Sequence, residues 1–384
     1  MTGFRLVERR VPAGMRLQWL RQTTTDTGPF ATMLMDVTHD SAEGDHQARL
    51  RWRALREDLS AQGADATTLR RLDDAVAEAS PPDGTAGRLL VTGAGGVLLD
   101  HYTAVPPERG AAQWGNAPDL LTVVSAVPEE IRTVVVGVDE EGGEVRGPDD
   151  TEAERVQGDR SGPVHKASAG DPNEIPMQER VEETWRRNAK AVAERVDAAV
   201  RSGGAQLVVL VGDGRSRSRV RDELSAGSVE LVAEVEHSGG ESPTELPATV
   251  VAAADDVRAR RRDETMARYA AAAGRADGFA VTGLGDVLAA TRAHAVEVLV
   301  LDPDHAPEGE VWVGDDATEV AAERDDLVAL GRTPDTTVQV SSALIRAAAA
   351  TDAELVLVDA HAGHDVALSE GVGAVLRFPV GPAS

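Results

Sequence analysis

Two cations, His165 and Lys166, open the segment His165-Lys166-Ala167-Ser168-Ala169-Gly170-Asp171-Pro172-Asn173-Glu174 in a chain of formal net charge −26. Arg180, Arg186 and Arg187 follow closely. Bond-breaking by water at such a loop needs a backbone that can approach the substrate, which paired glycines allow. It also needs a side chain that positions the water. Gly170 stands without a glycine neighbour and is followed by Asp171 and Pro172, so neither need is met. His165, Lys166 and Arg180, with Ser168 and Gly170 between them, could contact phosphate; the competing reading is a solvated loop with no role. A second cluster, Gly212-Asp213-Gly214-Arg215-Ser216-Arg217-Ser218-Arg219, follows an apolar run and lacks the Gly-Lys-Ser/Thr ending of a P-loop. A strand that ends in glycines before a helix leaves backbone N–H groups free for phosphate, and Arg215 and Arg217 would add cations there. The competing reading is a plain strand-to-helix turn.

Other candidates carry less. His361, His364 and Asp365, and likewise Asp302-Pro303-Asp304-His305, have spacings that could hold a metal. They sit in acidic loop sequence without a fixed scaffold, so no metal is expected. No serine occupies a nucleophile turn, and the absence of cysteine removes thiolate chemistry and disulfides. Gly93-Ala94-Gly95-Gly96 lacks the third glycine and following helix of a dinucleotide loop, so a hairpin turn is expected there. Trp185 falls on an apolar helical stripe and reads as core rather than as a stacking platform. No catalytic residue and no cofactor are expected.

The elements that must hold these residues follow from periodicity. Phe30–Val37 reads as a buried strand. Asp40–Gln62 has helical spacing, with Leu50, Leu55 and Leu59 apolar and Arg49, Arg51, Arg53 and Arg56 interleaved. A helix over Asp65–Ala79 stops at Ser80-Pro81-Pro82-Asp83-Gly84. Segments 88–92 and 97–101 form a hairpin, and 120–127 is a further apolar run. Next come a strand over 131–139 and a hairpin partner at 144–146. Polar sequence over 147–175, too long for an ordinary connection, reads as a loop. A helix over 177–201 places Val181, Trp185, Val192, Val196 and Val200 on one face. Strand 207–211, helix 217–224 and extended segment 229–236 close this block, and 243–247 reads as a linker. Beyond it lie helix 248–273, segment 278–281, helix 284–294, strands 296–301 and 310–313, helix 341–351, and strands 355–358 and 374–379.

These elements predict an α/β chain of three domains: 1–130, 131–247 with a mixed sheet, and 248–384 as an α/β/α sandwich. A length of 384 residues is ample for a buried core in each. Hydrophobic residues at 42% exclude a disordered chain. No segment approaches the ~20 apolar residues that span a bilayer, and the opening Met1–Arg10 has no apolar run, so a soluble, cytoplasmic monomer is expected. The negative charge argues against general nucleic-acid affinity, although total charge does not fix where cations cluster. Aromatic residues at 3% disfavour a binder of single-stranded RNA built on stacked bases.

The order of loop, long helix and apolar strand from Gly158 to Gly212, with the closing Gly373-Ala374-Val375-Leu376-Arg377-Phe378, resembles one known family. It is that of the archaeo-eukaryotic class-1 release factors, Pelota and their bacterial relatives, including Balon-type ribosome hibernation factors. In release factors the loop carries Gly-Gly-Gln, whose glutamine helps water attack the peptidyl-tRNA ester. That tripeptide occurs nowhere in this chain, nor does an Asn-Ile-Lys-Ser codon-reading motif. The resemblance implies a ribosome-binding, non-catalytic factor in a vacant A site of the 70S ribosome. The first domain would lie at the decoding centre, the middle loop would face the peptidyl-transferase centre and touch rRNA, and the third, ribosomal-protein-like domain would meet an elongation factor Tu-type GTPase. Two alternatives stand beside it: a peptidyl-tRNA hydrolase or rescue factor, and a non-ribosomal regulatory or scaffold protein of the same fold.

Overall fold

The apolar run that begins at Phe30 becomes a central strand, because its side chains are buried on both faces and its backbone is paired on both edges. The computed structural model describes residues 15–20, 28–39, 44–78, 82, 84–157, 174–236, 247–275, 277–334, 336–358 and 368–380. Met1–Glu129 and Arg261–Ser384 form one compact unit, and Glu130–Arg260 a second.

In the first unit, β2 (Phe30–Asp36) pairs antiparallel with β3 (Gly87–Gly93) and β5 (Ala111–Gly115), and β4 (Gly96–Thr103) closes the expected hairpin at Gly93↔Gly96. Helix α1 (Gly44–Ala61) turns Trp52, Leu55 and Leu59 onto Met33 and Met35. Helix α2 (Ala66–Ala77) is capped by the Asp65 carboxylate, which accepts from the N–H groups of Thr67 and Thr68. The apolar run at 120–127 is a short helix, α3 (Leu120–Ala126), started by Asp119.

The rest of that unit is a five-stranded sheet of order β1-β16-β12-β17-β11. Its strands are β1 (Met15–Arg16), β11 (Ala280–Thr282), β12 (Val296–Leu301), β16 (Glu354–Leu357) and β17 (Val372–Leu376). Alternation along β12 sorts its side chains: Val298 and Val300 meet Met266 and Tyr269 of helix α7 (Pro247–Arg275). Leu299 and Leu301 instead meet α8 (Leu284–Arg292) and α10 (Val340–Ala350), and a register shift between Val296 and Val298 turns Val296 to that same side. Helices on both faces make the expected α/β/α sandwich. A small sheet has the order β14-β13-β15; its β13 is the strand expected at 310–313, while β14, β15 and α9 (Arg324–Ala329) have no counterpart in the expected elements. Its strands are β13 (Glu310–Val313), β14 (Val320–Ala321) and β15 (Thr336–Gln339).

One core cluster runs from Leu89, Val91, Leu120 and Val123 to Ala343, Leu344 and Ile345. The amide of Leu120 donates to Ser342 Oγ at 3.1 Å. The first and third sequence blocks therefore share a core, and β1 reaches across to pair with Leu355 and Glu354.

The second unit carries a sheet of order β10-β9-β6-β7-β8. Strands β6 (Thr133–Asp139), β9 (Leu207–Gly212) and β10 (Val232–Glu236) run parallel, while β7 (Gly142–Arg146) and β8 (Glu154–Gln157) are antiparallel. The sheet is mixed, as expected. One face packs on α4 (Glu174–Gly203) and α5 (Gly214–Glu223) through Val192, Val196, Val220 and Leu224. A single turn, α6 (Ala226–Val229), leads into β10. The other face packs Leu207, Val209 and Val211 against Ala253, Ala254 and Val257 of α7. Thus α7 contributes residues to both units, although the sequence reading assigns it to the third block.

The expected long loop over 147–175 needs correction. Strand β8 occupies Glu154–Gln157, and Gly147–Asp150 is a tight turn in which the Gly147 N–H donates to Asp150 at 2.9 Å. β8 has no signal in the sequence because it is an exposed edge strand of Glu, Arg, Val and Gln in which only Val156 is partly buried.

Candidate functional site

The geometry around α5 is fixed by its entry. Gly212 ends β9 with φ near +150°, and a Cβ there would strike the carbonyl oxygen of Val138 on the neighbouring strand. Only glycine combines that conformation with that approach. The chain then turns at Asp213, whose carboxylate accepts from the N–H groups of Arg215 and Ser216, each at 3.0 Å. The Ser216 hydroxyl and N–H, with the Arg215 N–H, hold the Asp213 carboxyl below its ordinary range. This corrects one sequence expectation. Two N–H groups read as free for phosphate, those of Arg215 and Ser216, are taken by the chain's own carboxylate.

Helical spacing divides the arginines of α5 into two i,i+4 pairs on different faces. Arg215 and Arg219 face α4, with their guanidinium carbons 5.2 Å and 4.3 Å from the ring centroid of Trp185. Arg215 is 63% exposed and has a loose ion pair with Glu182 at 4.0 Å. Arg219 has no ion-pair partner among the described residues. Arg217 and Arg221 face β10 instead. Both approach Glu234, at 3.8 Å and 3.1 Å. The Arg217 side chain is only 11% exposed, and its buried Nε lacks a hydrogen-bond partner.

The expected contact residues therefore have different placements. Arg215 is at the surface, over an indole. Arg217 is packed inside, 3.8 Å from Glu234. Arg180 lies on the first turns of α4, and His165, Lys166, Ser168 and Gly170 lie outside the described residues. Trp185 differs from its expected core role: it is half-buried, with two cations over its ring. Its neighbours Arg186 and Arg187 are exposed. Sequence reasoning passed over Trp185 and Arg219. The available signal was the i,i+4 spacing of Arg215 and Arg219, but only the packing of α5 on α4 shows which face meets the indole.

The β7–β8 edge of the same unit contrasts with this corner. Arg155 pairs with Asp139 at 2.7 Å, Arg195 with Glu154 at 2.7 Å, and Arg132 with Asp149 at 2.5 Å. Each of these three cations is held by a carboxylate.

Elsewhere, Asp302 and His305 make only a pair at 2.9 Å, and no group of three metal-ligating side chains occurs among the described residues. His361, His364 and Asp365 lie outside them. A cleft of about 420 Å³ in the first unit is lined by Asp315, Asp316, Glu319 and Arg332. Its polar groups satisfy one another, Glu319 pairing with Arg332 at 2.8 Å and Asp316 accepting from Thr318. No helix among the described residues is long and apolar enough to cross a membrane.

Residues 132–275 match the family model described as bacterial archaeo-eukaryotic release factor family 2. Over the whole chain, the uncharacterized protein Rv2629 of Mycobacterium tuberculosis is 28% identical across 370 residues, covering 95% of this chain and 97% of that protein. Among solved structures, the archaeal translation termination factor aRF1 is 14% identical, covering 94% of this chain and 96% of its own, with a TM-score of 0.24. Archaeoglobus fulgidus Pelota is 13% identical over 90% of this chain and 95% of its own, with a TM-score of 0.35. Saccharomyces cerevisiae Dom34, a translation termination-like factor, is 11% identical over 77% of this chain and 80% of its own, with a TM-score of 0.38. Scores below 0.5 over whole chains leave the match at 132–275 as the stronger finding.

Proposed function

We propose that this chain, whose residues 132–275 match the model of bacterial archaeo-eukaryotic release factor family 2, is a ribosome-binding translation factor that occupies the A site of idle 70S ribosomes without catalysis. The observation that carries this reading is a release-factor domain with no Gly-Gly-Gln anywhere in its sequence. The family's glutamine positions water at the peptidyl-tRNA ester. Without it and its paired glycines, the domain keeps the means to fit the site and loses the group that performs hydrolysis. In this reading the protein is cytoplasmic and protects ribosomes in stress or stationary phase. The block 248–384 meets a translational GTPase of the elongation factor Tu class. His165, Lys166, Ser168, Gly170 and Arg180, with Arg215, contact rRNA.

Co-sedimentation with vacant 70S ribosomes at physiological salt tests the reading, and failure to pellet with them would overturn it. Release of labelled peptide from stalled ribosome complexes tests the absence of catalysis. No release above background is expected, and a rate abolished by Asp171→Ala would establish a hydrolase instead. A charge-reversal pair locates the contact. Lys166→Glu with Arg180→Glu should reduce ribosome affinity markedly, whereas Arg258→Glu with Arg260→Glu should leave it nearly unchanged. Equal losses from both pairs would mean that only bulk charge matters.

A further inference from the structure

The half-buried Trp185 with two cations over its ring has no role in the core of the second unit. Its place in the fold is set by two helices. Trp185 lies on the α4 face turned to α5, and Arg215 and Arg219 lie one helical turn apart on the α5 face turned to α4. Like charges at i,i+4 repel each other. Their carboxylate partner among the described residues is Glu182, at 4.0 Å from Arg215 and well solvated. Attraction to the indole face offsets part of that repulsion and restricts where each guanidinium can be. What results is a pair of partly ordered planar cations that share one distant, solvated carboxylate in a chain of net charge −26. A guanidinium held this way loses little freedom when it makes paired N–H contacts to a phosphate.

We propose that Trp185, Arg215 and Arg219 form a clamp for the phosphodiester backbone of RNA. The clamp is a specific contact surface for the ribosome binding proposed above and rests on that reading. Successive phosphates along a strand suit two cations one helical turn apart, and binding relieves the repulsion between them. Arg217 is not part of the clamp, because Glu234 and the protein interior hold it on another face. The indole acts as a positioning residue: it holds the guanidiniums and need not touch the RNA.

The test uses the full-length protein with two probes, vacant 70S ribosomes and an oligo-uridine strand, across a series of salt concentrations. Arg215→Gln with Arg219→Gln removes both charges at surface positions. It should lower the slope of log affinity against log salt by about 1.5 and weaken binding about tenfold. Trp185→Leu keeps both charges, and should weaken binding severalfold with a smaller change of slope. Arg215→Lys with Arg219→Lys should restore the slope but not the affinity, because an ammonium lacks the planar fork. Melting curves identify any variant that fails to fold, and the glutamine pair remains decisive if Trp185→Leu unfolds.

If the wild-type protein binds ribosomes and the glutamine pair leaves affinity and slope unchanged, the clamp is wrong while the ribosomal reading stands. If wild type binds neither probe, both fall. If it binds oligo-uridine through these arginines but not ribosomes, the clamp stands and the ribosomal reading falls. Competition by poly-glutamate as effective as by RNA would overturn the assignment to RNA in favour of an acidic protein partner. A loss of stability in Trp185→Leu with no effect of the glutamine pair on binding would reduce the cluster to a staple between α4 and α5.

Discussion

The two faces of α5 hold the same residue type at the same spacing and have opposite fates. Arg217 and Arg221 converge on the single carboxylate of Glu234 of β10, and Arg217 is buried beside it. Arg215 and Arg219 converge on an indole that attracts cations but cannot neutralise them. One pair shares a carboxylate, and the other has only the loose contact of Arg215 with Glu182 beside the ring. The β7–β8 edge repeats the first case on a larger scale, with Arg132, Arg155 and Arg195 each held by a carboxylate. Net charge therefore says little about where this protein can meet an anion. What matters is which arginines find a carboxylate after folding.

That comparison can be broken most severely at the turn both faces depend on. Gly212→Ala adds a Cβ against the Val138 carbonyl and forces a positive φ on a substituted residue. It should destabilise the second unit by about 3 kcal/mol, seen as a lower midpoint in denaturant unfolding. Gly204→Ala is the contrasting variant: its φ is also positive, but nothing lies within 4 Å of the added carbon. It should cost about 1 kcal/mol. Equal effects would show that steric approach to Val138 is unimportant.

The buried face is sharpened by Arg217. Arg217→Ala removes a packed side chain from beside Glu234 and should cost about 2 kcal/mol. Arg217→Met keeps most of that volume, leaves Arg221 on Glu234, and should cost under about 1 kcal/mol. Neither should alter ribosome affinity in a folded protein. A loss of binding by Arg217→Met at unchanged stability would move Arg217 to the ligand side of the comparison.

The cap shared by both faces gives a smaller effect with a pH signature. Asp213→Ala should cost about 1 kcal/mol at neutral pH. The folded-state pKa of Asp213 is depressed by the Ser216 and Arg215 donors. Its stabilisation is therefore fully present above the ordinary carboxylate value and lost as pH falls through the depressed one. Urea midpoints of wild type and Asp213→Ala should differ at pH 7 and converge on acidification below about pH 4. A constant difference across that range would mean that the carboxylate is not the stabilising group.

The smallest effect belongs to the exposed edge. Arg155→Gln breaks contacts to Asp139 and Glu144 at the surface and should change stability by less than about 1 kcal/mol. It should also leave the salt dependence of ribosome binding unchanged. A change in that slope would mean that the carboxylate-paired arginines of this edge also meet RNA.

Much of this protein was legible from residue order. Phe30–Val37, Ile131–Asp139 and Leu207–Val211 are apolar runs that only a sheet interior can bury, and each forms a strand. Gly93-Ala94-Gly95-Gly96 gave its hairpin, because local turn chemistry needs no distant partner. Val192 and Val196 marked the buried face of α4 by spacing alone. The absence of Gly-Gly-Gln is likewise a matter of sequence.

Tertiary structure decided what depends on contacts remote along the chain. β1 is two residues long, and its pairing with Leu355 and Glu354 has no local signal. The shared core of Leu89, Leu120 and Leu344 joins blocks that read as separate, because apolar periodicity says that a face is buried but not against what. The same limit governs the candidate site. Spacing places Arg215 with Arg219 and Arg217 with Arg221, since a helix repeats every 3.6 residues. Which pair would meet Trp185 and which Glu234 depended on how α5 docks between α4 and β10, and that docking separates a cation over a ring from one beside a carboxylate.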